Sequence, residues 1–518
     1  MQSSTKVIFK DYTPQQAQLL PPSLEELIEP NHPVLVVNQV IDSISIRPLQ
    51  EAYRGGGAPS YHPRMMLKVL IYGYLSNIYS SRKLEAALKE NIHFMWLSGM
   101  ARPDHNSINR FRSKRLAAPL KEIFAQIVQL LSAEGLLDIR DLYTDGTKLE
   151  ANANRYTFVW GKNIGRGRER IKEQIDSLWA YAQQVAKEEE TDTAPLEFDS
   201  ADPEQVAQAI ARIDQALAEK PTDPKVRQKL NYARKHWPDN LRKYQHQENL
   251  IHAGEKRSSF SKTDTDATFM RMKEDHMRNG QLKPAYNLQV SSNNQYIVNY
   301  TIHQLTTDTQ ALIKHLEHYR TLYQQTPTAV TADAGYGSEQ NYAYLEKEKV
   351  ESFVKYNHFD REQRSPHKQN PFAVNQLHYD EHTDTLTCPA QQTLYNVGTR
   401  KCKNDSGYEQ VITHYRALSC EGCVLREKCH QSKYDREVQI NHQLRLYKQQ
   451  AAQRLTSEKG IIRRKKRPVE IEPVFAQIKH NKGFKRFMLR GLEKVQIETG
   501  LIAIAHNLAK KAARSAKN

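Results

Sequence analysis

Apolar positions recur at helical spacing early in the chain and alternate with polar ones through its middle, with long polar tracts between. From Pro63 to about Arg115 the pattern is helical: Met65, Met66, Val69, Leu70, Tyr72 and Gly73 share one broad face, followed by Leu84, Ala87 and Leu88. A break from Gly99 to Pro103 leads to a stretch in which Asp104 or Asn106 can cap a further helix. Its exposed side is expected to carry Asn109, Arg110, Arg112, Lys114 and Arg115, the arrangement of a helix-turn-helix element lying against a duplex. Ile123, Ile127, Leu130 and Leu131 predict one more amphipathic helix. Residues 1–60, with Pro14, Pro21, Pro22, Pro30, Pro33 and the run Gly55-Gly56-Gly57, read as an arm before a helical domain over 61–135.

The pattern turns to strands at Leu142-Tyr143-Thr144-Asp145-Gly146-Thr147. It does so again at Ala285 to Val290 and Tyr296 to Thr301, a hairpin candidate around Ser292-Asn293-Asn294. A helix over Gln310 to Tyr323 follows, then the strand Ala329-Val330-Thr331-Ala332 ending on Asp333, a helix from Glu339 to Lys349 and a strand at Ser352 to Tyr356. This order predicts an α/β fold with a mixed sheet. Its parts are 136–164, 256–359 and 451–518, interrupted by a polar, helical insertion over 165–255 with an acidic loop near 188–203, and by a second insertion over 360–450.

Composition adds a partner. The chain of 518 residues carries 75 Lys and Arg against 59 Asp and Glu, a net +16, and such a surplus favours a polyanion, nucleic acid first. With no run of about 18 apolar residues and no apolar leader behind a basic start, the expected setting is the cytoplasm, at the nucleoid. Five cysteines in so long a chain make no disulfide framework. Four of them, however, Cys388, Cys420, Cys423 and Cys429, fall in the second insertion at spacings suited to one structural zinc ion, or alternatively an iron–sulfur cluster. Cys402 is the spare and His430 a substitute ligand.

The candidate chemistry lies in three carboxylates. Asp145 and Asp333 are read at strand ends beside glycines, and Glu472 at a helix start, because Pro473 suits the first helical turn. Mg²⁺ binds through a few carboxylates and substrate phosphates, and a pair of such ions serves phosphodiester cleavage. Glu470 competes for the third role. Glu472 is preferred because Lys479 follows seven residues on, about two turns along the same face.

Read together, Asp145-Gly146-Thr147-Lys148-Leu149-Glu150-Ala151-Asn152-Ala153-Asn154-Arg155, Ser261-Lys262-Thr263-Asp264, Thr331 to Gly337, and Val474-Phe475 through Lys479 to Gly483-Phe484 resemble the prokaryotic insertion-sequence transposases of the DDE type, over about residues 20–510. The resemblance implies a ribonuclease-H-like core with Asp145, Asp333 and Glu472 as ligands of two Mg²⁺ (or Mn²⁺) ions. It also implies double-stranded DNA (element ends and target) as partner and a homodimer in the synaptic complex. A family clade carries Tyr-x2-Arg-x3-Glu-x6-Lys around its glutamate. Here Glu472 and Lys479 fit, whereas Lys465 and Pro468 hold the Tyr and Arg positions and the nearest basic residues, Arg464 and Arg467, each stand one residue early. Arg464, Arg467, Lys479 and Lys485 are expected on phosphates near the site. The implied activity is cleavage and strand transfer at the ends of the chain's own element. A catalytically inactive DNA-binding protein and a plain metal-dependent nuclease are the rival readings.

Overall fold

In the computed structural model, residues 23–53, 60–186, 196–272, 280–364, 370–404 and 406–516 are described. Pro14, Pro21, Pro22, the glycine run at 55–57 and the acidic loop as far as residue 195 lie outside them. The chain clusters into two units, residues 1–115 with 508–518, and residues 116–507.

The first unit is helical. Its centre is Pro63–Leu75, where every residue from Met66 to Tyr74 is buried. Pro33–Ser43 packs beside it, and the buried Lys68 ammonium bonds Asn38 (2.6 Å) and Asp42 (2.7 Å) between them. Asp104 caps His105–Arg110, accepting the Ser107 N–H at 2.6 Å, and a wider π-turn continues through Phe111–Arg115. Here one expectation needs correction. Arg112 is not exposed: it is 3% accessible and donates to Tyr79 O (2.7 Å) and the Tyr74 hydroxyl (3.4 Å). Arg115 also turns inward, donating to Ala52 O and lying 4.6 Å over the Tyr53 ring. The reason is spacing. Ile108, Phe111, Arg112 and Arg115 stand at i, i+3, i+4 and i+7, which is the buried stripe of a helix. Asn109, Arg110 and Lys114 are exposed.

The second unit is a mixed α/β domain. Six strands make its central sheet: β1 (Asp141–Glu150), β2 (Thr268–Arg271), β3 (Leu282–Asn293), β4 (Tyr296–His303), β5 (Ala329–Ala332) and β6 (Glu351–Val354). β1 is central, antiparallel to β3 from Tyr143 to Glu150 and parallel to β5 from Asp141 to Thr144. β6 extends the sheet parallel to β5, while β2 and β4 share the far edge of β3. Strands buried on both faces explain the nearly continuous burial of β3 and β5. The helices Leu312–Tyr323 and Glu339–Lys347 connect β4 to β5 and β5 to β6.

Two local expectations change. Asp145 does not end its strand: β1 loses β5 after Thr144, but β3 accompanies it to Glu150, so the backbone stays extended. Glu472 does not open a helix. That helix starts at Glu458, capped by Ser457, and runs to Ala476 with Pro468 and Pro473 inside it. An interior proline costs about 3 kcal/mol. The packing of Gly460, Ile471 and Val474 offsets the two of them.

Residues 161–252 form three helices, Gly161–Ala186, Pro203–Ala216 and Pro224–His252, around Ile175, Ile213, Trp237 and Leu241. Residues 378–440 form a separate five-stranded antiparallel sheet with its own small core of Leu386, Leu394 and Tyr415.

Candidate active site

The site follows from strand register. Thr144 and Ala332 are the last paired residues of the parallel strands β1 and β5. Asp145 and Asp333 come next on each strand, where β5 ends and parts from β1, the kind of place where an α/β sheet opens a ligand crevice. Onto this point the Glu458–Ala476 helix lays Arg467, whose guanidinium lies 2.8 Å from Asp145 and 3.7 Å from Asp333. A turn earlier, Arg463 bonds Asp141 (2.6 Å) and Thr331, which fixes the helix against the same two strands.

A third carboxylate joins from the loop after β4. One oxygen of Asp308 accepts the side-chain amides of Asn287 and Gln289, both at 2.8 Å. The other end of Gln289 accepts the hydroxyl of the buried Tyr336. Gly146 makes this approach possible, since a Cβ there would stand 2.6 Å from the Asp308 carboxylate. Gly337 is required for a similar reason: its Cβ would meet the Lys355 carbonyl and stand 2.7 Å from Tyr356 Cα.

Charge in this corner is unbalanced. Burial pushes the Asp145 carboxyl up, the Arg467 charge and the Gly146 N–H pull it down, and Asp333 and Asp308 push it up again, leaving it above the ordinary aspartate value. Such a donor set calls for a cation, and the guanidinium is the one present. Glu472 is not part of the group. It is five residues beyond Arg467, about 140° round a 3.6-residue helix, and it is exposed. Glu470 is buried, but it faces the β3–β4 hairpin, accepting Gln295 N–H at 2.9 Å and pairing with Lys466 at 3.2 Å.

With this geometry in place, comparison with known families is informative. A "Transposase DDE domain" family matches residues 387–512, and a "Transposase domain (DUF772)" family matches residues 22–114. These two matches support a DDE transposase of the insertion-sequence kind. The first match contains Arg467 and Glu472, whereas Asp145, Asp308 and Asp333 lie between the two matched segments. No curated protein and no solved structure matches the chain.

Several residues in and beside the motifs make structural contacts. Arg486 and Arg490 donate to the carbonyls of Ala151 (3.1 Å) and Asn152 (2.7 Å), and Asn152 donates to Met488 O (2.6 Å). The segment after Asp145 is thereby clasped by the segment after Gly483. Asp264 accepts the Tyr286 hydroxyl and Gly491 N–H. Arg464 donates to Leu455 O at 2.9 Å and covers Phe359, Lys479 is buried, and Lys485 is exposed.

In the smaller sheet of the transposase, Cys388, Cys420, Cys423 and Cys429 line one cavity together with His430 and Arg436. Arg436 donates to Cys429 Sγ (3.1 Å) and, through its backbone, to Cys420 Sγ (3.3 Å). Among the described residues, no three His, Cys, Asp or Glu side chains stand in metal-holding geometry, at the thiols or at the aspartates. Sequence reasoning missed Asp308, which follows Thr306-Thr307 and reads as an ordinary loop residue. It placed Arg467 near the site on phosphate, and without DNA the guanidinium pairs with Asp145 and Asp333.

Proposed function

We propose that this transposase binds the ends of its own insertion sequence, cleaves them by phosphodiester hydrolysis and joins the freed 3′-hydroxyls to target DNA. In this reading β1, β3, β4, β5 and β6 form a ribonuclease-H-like core, and the helical unit of residues 23–115 grips duplex DNA through Asn109, Arg110 and Lys114. The observation that carries the reading is the register: Asp145 and Asp333 emerge side by side beyond Thr144 and Ala332 and share one cation, Arg467.

What supports divalent metal ions is the donor chemistry, since the carboxylates of Asp333 and Asp308 act electrostatically on Asp145 in one corner. Asp145 and Asp333 would hold two Mg²⁺ or Mn²⁺ ions, with Glu472 completing the set. The ions would neutralise phosphate charge and make water a stronger nucleophile. The protein's own part is positioning. Asp145 and Asp333 are set by the two parallel strands, and Arg463 keeps the helix seated. Arg467 passes from the carboxylates to a phosphate, joined by Lys485. A homodimer pairs the two ends in the synaptic complex, in the cytoplasm at the nucleoid. In the smaller sheet the four cysteines hold a structural zinc ion, or an iron–sulfur cluster in its place.

The decisive experiment measures end cleavage and strand transfer in Mg²⁺ together with DNA affinity. Asp145→Asn, Asp333→Asn and Glu472→Gln should each abolish both reactions and spare binding, because each keeps its shape and loses a charge. Activity in all three refutes the reading. Loss with Glu470→Gln but not Glu472→Gln transfers the third role to Glu470, and cleavage without joining identifies a plain nuclease.

A further inference from the structure

The loop between β4 and the Leu312–Tyr323 helix touches both segments that bear the paired aspartates. On one side, the Asp308 carboxylate fills the space that a side chain at position 146 would need, directly after Asp145. On the other, Thr309 Oγ1 donates to Gly335 O (2.9 Å), and Asn341 donates both to Thr309 O and to Tyr336 O (2.8 Å each). Gln289, fully buried on β3 opposite Gly146, spans the two sides: its amide donates to Asp308 and its carbonyl oxygen accepts the Tyr336 hydroxyl. A carboxylate holding two buried amides is costly to move, because the Asn287 amide would then lose this bond and the Gln289 amide would keep only Asn287 Oδ1, in a water-poor interior.

We propose that Asp308 is a positioning residue, which sets the spacing of the Asp145 and Asp333 carboxylates and with it their affinity for a divalent cation. This rests on the metal-dependent reading above and adds a residue that neither the motifs nor the matched family segments include. Asp308 acts through Gly146 and through the Gln289–Tyr336 pair. Groups that orient metal ligands from behind commonly contribute 10–100-fold to metal affinity.

The test uses the full-length chain without DNA and Mn²⁺ alone as probe, titrated calorimetrically, with thermal midpoints recorded in parallel. Asp308→Asn keeps an acceptor for the two amides and removes the charge, so it should fold and bind Mn²⁺ about tenfold more weakly. Gly146→Ala leaves every carboxylate in place, but its methyl would stand 2.4 Å from Gln289 Nε2 and 2.6 Å from the Asp308 carboxylate, so it disturbs the Gln289–Asp308 bond and should weaken binding in the same direction. Asp145→Asn is the control for the underlying reading. Lost binding in Asp145→Asn with unchanged affinity in both Asp308→Asn and Gly146→Ala overturns the positioning role. A lowered thermal midpoint with unchanged affinity overturns it too, because that is the mark of a purely structural residue. Unchanged binding in Asp145→Asn overturns the metal-site reading itself.

Discussion

Arg467 and a divalent cation compete for the same two carboxylates, and this competition has a sign that can be measured. In Arg467→Met the apolar stem is kept and the guanidinium is lost. Arg467 is 11% exposed and Asp145 23%, at 2.8 Å, so the pair is mostly withdrawn from water. Removing one partner of a buried pair costs about 3–5 kcal/mol. Asp145 keeps its bond from Gly146 N–H and some solvent, which places the expected loss near the lower end, about 3 kcal/mol. That penalty belongs to the metal-free protein. A cation bound to Asp145 and Asp333 takes over the role of the guanidinium, so the variant should gain metal affinity by up to the same amount, about 100-fold. The assay is urea unfolding in EDTA and in excess Mg²⁺, with Mn²⁺ titration of the folded proteins. The variant should be less stable in EDTA, close to wild type in Mg²⁺, and the tighter Mn²⁺ binder. Equal or weaker Mn²⁺ binding, or the same stability deficit in both buffers, would refute the argument.

Arg112→Ala should lower the thermal stability of the protein by about 2 kcal/mol, because it removes the buried guanidinium's bonds to Tyr79 O and the Tyr74 hydroxyl, and leave the salt dependence of DNA binding unchanged. Arg110→Ala should do the reverse, sparing stability and reducing the slope of log affinity against log salt by about 1. Burial pushes Glu255 up, but His303 and Lys314 outweigh it and hold its carboxyl down to about 2. A depressed acid stabilises the fold above its ordinary value of 4.5 and loses that contribution as pH falls toward 2. The gap in unfolding free energy between wild type and Glu255→Gln, about 3 kcal/mol at pH 6, should therefore narrow through pH 4 to 3, and a constant gap would contradict it. Protein purified without chelator should contain one zinc per chain, lost in Cys420→Ser with selective unfolding of the 378–440 sheet, and elemental analysis finding neither zinc nor iron would exclude a metal centre there.

Much of the architecture is legible in the amino-acid sequence because local rules dominate it. Alternation of apolar residues marked the β3–β4 hairpin, the 3.6-residue stripe marked Pro63–Leu75, and the glycines after Asp145 and Asp333 marked two places of close backbone approach. The stripe Ile108, Phe111, Arg112, Arg115 was legible as well, yet the charge on two of its members argued for solvent. Only the packed chain provided carbonyl oxygens and an aromatic ring for those guanidinium groups.

Other features depend on which surfaces meet. Whether Pro473 opens a helix or lies within one was decided by the Ser457 cap and by the packing of Ile471 and Val474, both outside the local proline rule. The same packing set the rotation of that helix, turning Arg467 toward the aspartates and Glu472 toward solvent. Asp308 carries no sequence signature at all, because its role comes from Gly146, Gln289 and Tyr336, brought together by strands that pair across long stretches of chain. Periodicity reports which side of an element is apolar. The meeting of charged groups from distant elements depends on register and helix rotation, and those are set when the whole core packs.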